Sequence, residues 1–430
     1  MHVLIVGAGT GGLALAHSLR QSGIGVSVWE RDPVPNADTG GYRVGISPGG
    51  SRALRACLPG ELYELFAATC ARPPARINML TEQLRELLSF DIEGMGANGL
   101  DGEKSVIRKT LRRVLLSGLE DQVFFGKALS HYTHNADATV TAHFEDGSVA
   151  TADVLVGADG TNSAVRRQRL PEARLEDTGI VSFGGKLPMT PENEALLSRG
   201  MREGMSLVMA PRGFGGIVHS LRFDRDDAKF AARWPHFVDA LDEDSIGWAL
   251  WGARQNFPRD PSGLDGPPLQ EMGLALTRHW HPHLRELIRR SEPSTLLHVN
   301  VRTSGTLLPW RSSNVTLIGD AVHTMTPGRG AGANTALRDA ALLGRLLAET
   351  HQGRRPLLDS IRAYEAEMLR YSSEAVQASK KQMDSRDLIH KPWTGALQLA
   401  AMRAAMRTVD AVPLLKRRVL AQMMRVRGEN

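Results

Sequence analysis

The chain has 430 residues, a formal net charge of +5, two cysteines and 42% hydrophobic residues. This length predicts two domains rather than one, and two cysteines are too few for a disulfide framework or a four-cysteine metal site. No apolar stretch reaches the roughly 20 residues of a membrane-spanning helix, and the dispersed Lys and Arg residues argue against a nucleic-acid-binding protein.

The N-terminal residues predict a β-α-β unit. An apolar run at 3–6 leads directly into the glycine-rich turn 7–12, and no charged leader with an apolar region and cleavage site precedes it. We therefore expect a cytoplasmic protein. A helix with an apolar face follows at 13–21, and a second β run at 26–29 ends at Glu30.

The spacing of the glycines and the acid is typical of dinucleotide binding. Gly7 and Gly9 would permit the turn and a close approach of pyrophosphate, and Gly12 would let the helix pack on the strand. Glu30 would accept hydrogen bonds from the ribose hydroxyls. The alternative is a β-α-β unit that binds nothing, because a G-x-G-x-x-G motif alone is a weak signal.

The next segments predict a hairpin, a helix and a second hairpin. Residues 77–92 favour a hairpin with its turn behind it at Gly94, Met95 and Gly96. Residues 105–119 favour a helix that could aim Arg108 at phosphate or adenine, with a solvated charged face as the alternative. A further hairpin is predicted between 139–144 and an apolar strand at 148–156. Asp159 and Gly160 follow this strand and would therefore lie at the edge of a sheet.

The middle of the chain predicts an antiparallel sheet with an apolar, aromatic face. Its strand-like runs lie at 180–187, 205–209, 216–223 and 246–250. Such a face suits a ring-shaped ligand, although core packing is the favoured alternative for most of these side chains. The candidate pocket residues are Phe183, Met209, His219 and Trp251. His219 is also the candidate acid or base, with a structural histidine as the alternative.

A second glycine-rich site follows two more predicted strands. The strands at 295–308 and 315–318 precede Gly319 and Asp320, and the loop 327–334 leads into a helix at 334–347. A loop with little side-chain bulk at a helix N-terminus presents N–H donors and positive dipole to an anionic ring.

With both glycine sites read, the chain resembles the FAD-dependent aromatic hydroxylases. These are the p-hydroxybenzoate hydroxylase-like group A flavoprotein monooxygenases, which include polyketide-tailoring and tetracycline-inactivating members. The resemblance runs through nearly the whole chain, but Ala331 stands where many relatives have glutamine. Arg43, in the segment Tyr42 to Gly45, matches a family arginine near the flavin ring and the incoming nicotinamide, and is a second candidate catalytic residue.

The resemblance implies which residues bind the cofactor. Gly7, Gly9, Gly12 and Glu30 would hold the ADP half of FAD, and the Asp159-Gly160 pair is associated with both FAD and nicotinamide use. The full set of implied cofactor-binding residues is Gly7, Gly9, Thr10, Gly12, Glu30, Arg31, Arg43, Arg108, Asp159, Asp320, Pro327, Gly330, Ala331, Gly332, Ala333 and Asn334.

The resemblance also implies an α/β fold in which a Rossmann-like FAD-binding domain (1–72, 99–175 and 291–355) is interleaved with an antiparallel-sheet substrate domain (73–98 and 176–290). A C-terminal helical region at 356–430 follows. A long helix is predicted at 361–383, and a second helical region at 393–425. The second could be a basic amphipathic membrane-surface helix, but packing against the FAD domain is favoured.

The implied reaction uses NADPH or NADH and O2 to insert one oxygen atom into an aromatic or polycyclic, polyketide-like molecule through a flavin C4a-hydroperoxide. The alternatives are an oxidase or dehydrogenase without oxygen insertion, a Baeyer-Villiger or epoxidising monooxygenase, and a prenyl-lipid reductase. We expect a monomer or homodimer, in secondary metabolism, without stable membrane insertion. No metal is expected, because Pro282 interrupts the alternating trio His279, His281 and His283.

Overall fold

The computed structural model describes residues 1–35, 43–93, 101–223 and 226–429, and the side chains of residues 240 and 425–429 lie outside that description. Tyr42 and the turn predicted at Gly94, Met95 and Gly96 fall outside the described residues.

The strands follow in chain order: β1 (His2–Val6), β2 (Gly25–Trp29), β3 (Arg43–Ile46), β4 (Arg76–Thr81), β5 (Glu86–Asp91), β6 (Lys104–Ile107), β7 (Val123–Phe124), β8 (Leu129–His134), β9 (Val140–Phe144), β10 (Val149–Ala152), β11 (Val154–Gly157), β12 (Leu175–Pro188), β13 (Gly204–Met209), β14 (Gly215–Leu221), β15 (Ser245–Ala253), β16 (Leu297–Ser304) and β17 (Val315–Leu317).

The α-helices follow in the same order: α1 (Thr10–Gln21), α2 (Pro48–Cys57), α3 (Gly60–Ala68), α4 (Arg108–Leu116), α5 (Ala164–Arg169), α6 (Pro191–Glu194), α7 (Arg199–Arg202), α8 (Asp227–Arg233), α9 (Gly266–Leu276), α10 (Pro282–Arg290), α11 (Asp320–His323), α12 (Gly332–His351), α13 (Leu357–Lys380), α14 (Pro392–Ala411) and α15 (Pro413–Glu429).

A parallel sheet forms the centre of the first layer. Its strand order is β17-β11-β1-β2-β7, and every adjacent pair is parallel. Val3, Leu4 and Ile5 of β1 are fully buried, and burying each such side chain contributes about 1.5–3 kcal/mol. Because the strands are parallel, the turns that follow β1, β2, β11 and β17 meet at one edge of the sheet. The predicted Rossmann-like arrangement is confirmed.

A seven-stranded sheet forms the second layer, in the order β16-β12-β15-β14-β13-β4-β5. Its neighbours are antiparallel except for β13 and β4, which run parallel. The predicted antiparallel pairing of the runs that form β12, β13, β14 and β15 is confirmed. β4 and β13 run parallel because the chain passes through the first layer between them. One face of the sheet packs against α9 and α10.

Two predicted elements have different boundaries in the structure. Residues 104–107 form β6 instead of helix, because they pair antiparallel with β3, so α4 begins only at Arg108. The apolar run 148–156 divides at Asp153 into β10 and β11, which belong to different sheets. The Asp153 carboxylate accepts a hydrogen bond of 2.6 Å from the His2 backbone N–H, which ties this break to the start of β1.

The C-terminal helices lie across both layers. α14 packs against β5 of the seven-stranded sheet. α15 touches α2 beside the parallel sheet and also packs on β4 and β5 through Leu420 and Met423. The prediction that this region packs against the FAD domain is therefore corrected for α14. Among the described residues, no helix combines the length and the apolar character that crossing a bilayer requires.

Candidate active site

A cavity of about 380 Å³ opens at the carboxyl edge of the parallel sheet. It is lined by the turns that follow β1, β2 and β11 and by the N-terminal end of α1. The structure brings seven predicted cofactor residues together here: Gly7, Gly9, Thr10, Glu30, Arg31, Arg108 and Asp159. An anionic group in this cavity would face the positive end of the α1 dipole.

The three glycines of the first motif differ in what surrounds them. Gly7 has a φ of +109°, and a Cβ there would collide with the Ala158 carbonyl. A Cβ at Gly12 would collide with the carbonyl oxygen of Gly7, so both residues maintain close packing of the backbone. A Cβ at Gly9 would meet nothing within 4 Å. Gly9 therefore leaves space in the cavity, at the point where pyrophosphate would approach.

Glu30 is held in place by the backbone. Its two carboxylate oxygens accept hydrogen bonds from Ala8 N–H (2.6 Å) and Asp32 N–H (2.9 Å). Arg112 lies beside it, with an ion pair of 2.6 Å to Asp32 and a contact of 3.8 Å to Glu30. The carboxylate is thus fixed at the end of β2, where a ribose would bind.

Arg112 was missed by the sequence analysis. Its side chain is 9% exposed, and its Nε and Nη2 atoms are buried without a hydrogen-bond partner. Unsatisfied buried donors are rare in native proteins, and these two line a cavity that suits an anionic dinucleotide. The sequence feature that could have identified Arg112 is its spacing of four residues from Arg108, which places both side chains on one face of α4.

Asp159 has one free and one occupied carboxylate oxygen. Oδ2 accepts hydrogen bonds from the N–H groups of Ala164 (2.7 Å) and Val165 (3.3 Å) at the start of α5. Oδ1 is buried and has no partner. Burial raises the pKa of the Asp159 carboxyl, although the hydrogen bonds of Ser163 and of the α5 backbone oppose this shift. The free oxygen points to a ligand that donates a hydrogen bond.

Asp320 begins α11, directly after β17. Burial raises the pKa of its carboxyl, and the positive charges of His323 and Arg108 act in the opposite direction. The charge of Arg108, which lines the cavity at the carboxyl edge of the parallel sheet, thus acts on the Asp320 carboxylate.

The second glycine loop is clamped to β3 by Asn334. The Asn334 amide oxygen accepts a hydrogen bond from the Ser47 N–H (2.8 Å), and the amide nitrogen donates to the carbonyls of Gly45 and Gly330, each at 3.0 Å. These contacts occupy the side chain, so Asn334 positions the loop. Pro327 opens a short 3-10 turn, Gly330 has a φ of +61°, and Ala331, Gly332 and Ala333 form the start of α12.

Arg43 lies against Gly45, and its charge acts on His219. The Arg43 Nε donates a 2.5 Å hydrogen bond to Ser105 Oγ, and its guanidinium group lies over Gly45. Both ring nitrogens of His219 are buried and have no hydrogen-bond partner. Burial lowers the pKa of His219 to about 3, and the charge of Arg43 adds to the effect. This lowered pKa argues against a role for His219 as a group that titrates near neutral pH.

The strand pairing decides which candidate pocket residues share a face. His219 pairs with Met205 and Gly247, and Trp251 and Met209 both pair with Gly215. Residues opposite each other in an antiparallel pair lie on the same face, so Met209, His219 and Trp251 share one side of the sheet.

Phe183 lies on the opposite face, because it pairs with Leu250, which itself pairs with Gly216. The Phe183 ring is 1% exposed and packs edge-on against Trp248 at 6.1 Å. It belongs to the core beneath α9. The prediction that Phe183 lines the pocket with His219 is corrected.

Two of the three histidines near 280 serve local structure. His281 caps α10 by accepting a hydrogen bond from the His283 N–H, and the His283 ring bonds to the Leu196 carbonyl. In the described part of the chain, no group of three or more His, Cys, Asp or Glu residues is arranged to hold a metal ion.

Two family models match the chain. Residues 5–56 match an NAD(P)-binding Rossmann-like domain, and residues 273–379 match an FAD binding domain. The second match contains Asp320 and the loop clamped by Asn334. Together the two models cover both glycine sites.

Two curated relatives are informative. A dual O-methyltransferase/FAD-dependent monooxygenase of Phaeosphaeria nodorum is 34% identical over 386 residues, which are 81% of this chain and 40% of that protein. The chain thus spans about two fifths of that relative's length. An FAD-dependent urate hydroxylase of Klebsiella pneumoniae is 28% identical over 395 residues, covering 89% of this chain and 90% of the relative.

A solved structure extends the comparison over nearly a whole protein. The crystal structure of a putative FAD containing monooxygenase from Photorhabdus luminescens subsp. laumondii TTO1 has a TM-score of 0.77 and 31% sequence identity. The match covers 89% of this chain and 97% of that one. The fold, both glycine sites and this relative agree, and the chain belongs to the family of FAD-dependent monooxygenases.

Proposed function

We propose that the protein uses FAD, NADPH or NADH, and O2 to insert one oxygen atom into an aromatic or polycyclic, phenol-like small molecule. The observation that carries this proposal is the arrangement around Gly45. Asn334 donates a hydrogen bond to the Gly45 carbonyl and holds the loop that begins α12, and the Arg43 guanidinium lies against Gly45. The charge of Arg43 in turn acts on the unpartnered ring of His219.

The residues that line the cavity at the carboxyl edge of the parallel sheet fit the ADP half of FAD. Gly9 leaves space for pyrophosphate, Glu30 is placed for the ribose, and Arg112 and Asp159 have buried atoms without partners. The start of α12 would hold the pyrimidine end of the flavin, because its N–H groups and dipole favour negative charge. When bound and reduced, the flavin supplies the oxygen-activating chemistry, and the protein supplies position and a dry site.

The neutral ring of His219 would orient the substrate. An imidazole without a proton on one nitrogen accepts a hydrogen bond from a substrate hydroxyl, and such a bond draws electron density toward the ring that is oxidised. Burial, with a smaller contribution from the charge of Arg43, lowers the pKa of His219 and favours the neutral ring, which suits an acceptor. Met209 and Trp251 share the face of His219 and would provide an apolar wall.

The relatives favour a substrate whose product carries a hydroxyl group on a ring. One is named a urate hydroxylase, and another joins a monooxygenase to an O-methyltransferase, an activity that requires a hydroxyl acceptor. We therefore propose that the reaction is hydroxylation of an electron-rich ring. The proposal includes the predicted division of the chain into an FAD-binding domain, a substrate domain and a C-terminal helical region.

The test measures NADPH and NADH oxidation by the FAD-loaded protein with a panel of mono- and polycyclic phenols and purines, under ¹⁸O2. We expect one compound to stimulate oxidation and to gain one labelled oxygen atom. A product without the label, with peroxide formed in equal amount to substrate consumed, would instead establish an oxidase. A ring-expanded lactone or an epoxide that carries the label would establish the alternative monooxygenase chemistry.

A further inference from the structure

The helix α14 has two faces with different surroundings. Its inner face is occupied: Leu399 is buried, Arg403 donates a 2.5 Å hydrogen bond to the Met209 carbonyl, and Asp410 accepts one of 3.3 Å from the Ser89 N–H in β5. The inner face therefore fixes the orientation of the helix on the seven-stranded sheet, and the opposite face points away from the protein.

The outward face is mostly apolar, although the exposed Arg407 lies at its edge. Trp393 is 89% exposed and Leu397 is 75% exposed. The positions that continue this stripe are also exposed and carry no charge: Ala401, Ala404, Thr408 and Ala411. Charged or polar side chains normally occupy the solvent face of a surface helix, so this stripe is unusual for a surface in contact only with water.

The stripe adjoins a region of strong positive charge. Leu414, at the start of α15, is 72% exposed, and Arg417 and Arg418 one turn later are exposed as well. Residues 391–430 contain eight Lys or Arg and two Asp or Glu. Of the two acids, Asp410 is used by Ser89 and by Lys416, to which it lies at 2.7 Å. Exposed apolar side chains and exposed cations therefore occur together.

We propose that the outward face of α14 and the first turns of α15 bind the surface of an anionic lipid bilayer. Trp393, Leu397 and Leu414 would enter the boundary between headgroups and acyl chains, where indole rings are favoured, and Arg417 and Arg418 would contact lipid phosphates. The helix would lie in the plane of the membrane, because its inner face stays on the sheet. A second copy of the chain fits this surface poorly, since a two-fold contact would bring the two sets of cations together.

The proposal is tested by sedimenting the full-length, FAD-loaded protein with phosphatidylcholine vesicles that contain about 30% phosphatidylglycerol, or none. We expect binding to the anionic vesicles alone, and weaker binding when salt is raised from about 0.05 to about 0.5 M. Leu397→Glu and the double change Arg417→Glu/Arg418→Glu should each weaken vesicle binding at least about tenfold, because the first places a charge at the apolar boundary and the second reverses two cations that face lipid phosphates.

Matched controls separate this effect from a general change of surface. Leu308→Glu alters an apolar side chain that is also 75% exposed but lies far along the chain, and Arg259→Glu/Arg354→Glu reverses two exposed cations elsewhere. Both controls should bind vesicles like the unchanged protein, and all variants should retain bound FAD. Equal binding to neutral vesicles, or no loss in Leu397→Glu, would overturn the proposal. So would a concentration-dependent dimer that Leu397→Glu dissociates, since it would assign the face to a second copy.

Discussion

The Nε2 atom of His323 lies 2.6 Å from the Asp339 carboxylate, and neither side chain is exposed to solvent. The same carboxylate accepts hydrogen bonds from the Gly319 N–H (2.7 Å) and the Tyr371 hydroxyl (2.5 Å). One acid of α12 therefore connects α11 and α13 with the end of β17. This hub holds Asp320, the residue next to Gly319, at the edge of the proposed cofactor site.

The hub gives a first prediction. Asp339→Asn should lower the free energy of unfolding by about 3 kcal/mol, because it removes the charge partner of a buried histidine. FAD retention should fall with it, since Gly319 and Asp320 lose their anchor. Urea denaturation and the FAD released on gel filtration would measure the two effects. The control is Asp359→Asn, whose exposed pair with Arg362 contributes little; equal losses in both variants would contradict the role of the hub.

The pH dependence of stability gives a second prediction. Burial alone would lower the pKa of His323, but the charge and hydrogen bond of Asp339 outweigh it, and the net pKa is raised. A folded pKa above the unfolded value of about 6.5 means that the stabilisation is complete below that pH and is lost as pH rises through the folded pKa. Unfolding free energies from about pH 6 to 9 should fall more steeply in the unchanged protein than in Asp339→Asn. Parallel curves would exclude the linkage.

Gly9 and Gly12 of the first motif give a third prediction, because alanine should affect mainly FAD binding at one position and mainly stability at the other. Gly9→Ala should change the stability by less than about 1 kcal/mol, since its Cβ meets nothing, yet should weaken FAD binding at least about tenfold by blocking pyrophosphate. Gly12→Ala should destabilise the fold by roughly 1–3 kcal/mol, because its Cβ meets the Gly7 carbonyl. Thermal unfolding of the apoprotein and FAD titration separate the two effects; full FAD affinity in Gly9→Ala would refute the assignment.

The sequence predicts those parts of the site whose residues are close together along the chain. The β-α-β unit ending at Glu30 and the strand leading to Asp320 each depend on neighbours within about 30 residues. Arg112, by contrast, is positioned by ion pairs with Glu30 and Asp32, which are distant along the chain. Likewise, the contact between Asn334 and Gly45 joins segments 289 residues apart. The hydrophobic periodicity of a segment does not predict contacts with residues so distant along the chain.

The wrong placement of Phe183 has a different physical cause. Alternation identifies the inner face of a strand only when the other face is in water. In β12 both faces are covered, and a register shift between Asp177 and Val181 interrupts the alternation further. Residues 180–185 accordingly read as a run of apolar and small side chains. Such a run predicts a buried strand and leaves the direction of each side chain undetermined.

Asn334 gives a fourth prediction. In Asn334→Asp the side chain can no longer donate to Gly45 and Gly330, and a charge would face their two carbonyl oxygens. We expect the unfolding free energy to fall by about 1–3 kcal/mol and FAD binding to weaken. The control is Asn135→Asp, which also loses two donated hydrogen bonds, to Thr139 and Thr141. The control should keep its FAD affinity; a matching loss would show that the Asn334 clamp has no specific role.

His219 gives the last prediction, which depends on the proposed monooxygenase function. Because burial and Arg43 lower the pKa of His219 to about 3, its ionisation should be absent from the pH profile of activity above about pH 5. His219→Gln should therefore lower kcat/KM about tenfold, the value of one lost substrate hydrogen bond, without changing the shape of the profile between about pH 5.5 and 8.5. Full profiles of kcat/KM for both proteins provide the measurement. An inflection near pH 6.5 that disappears in His219→Gln would instead identify His219 as a group that exchanges a proton during turnover.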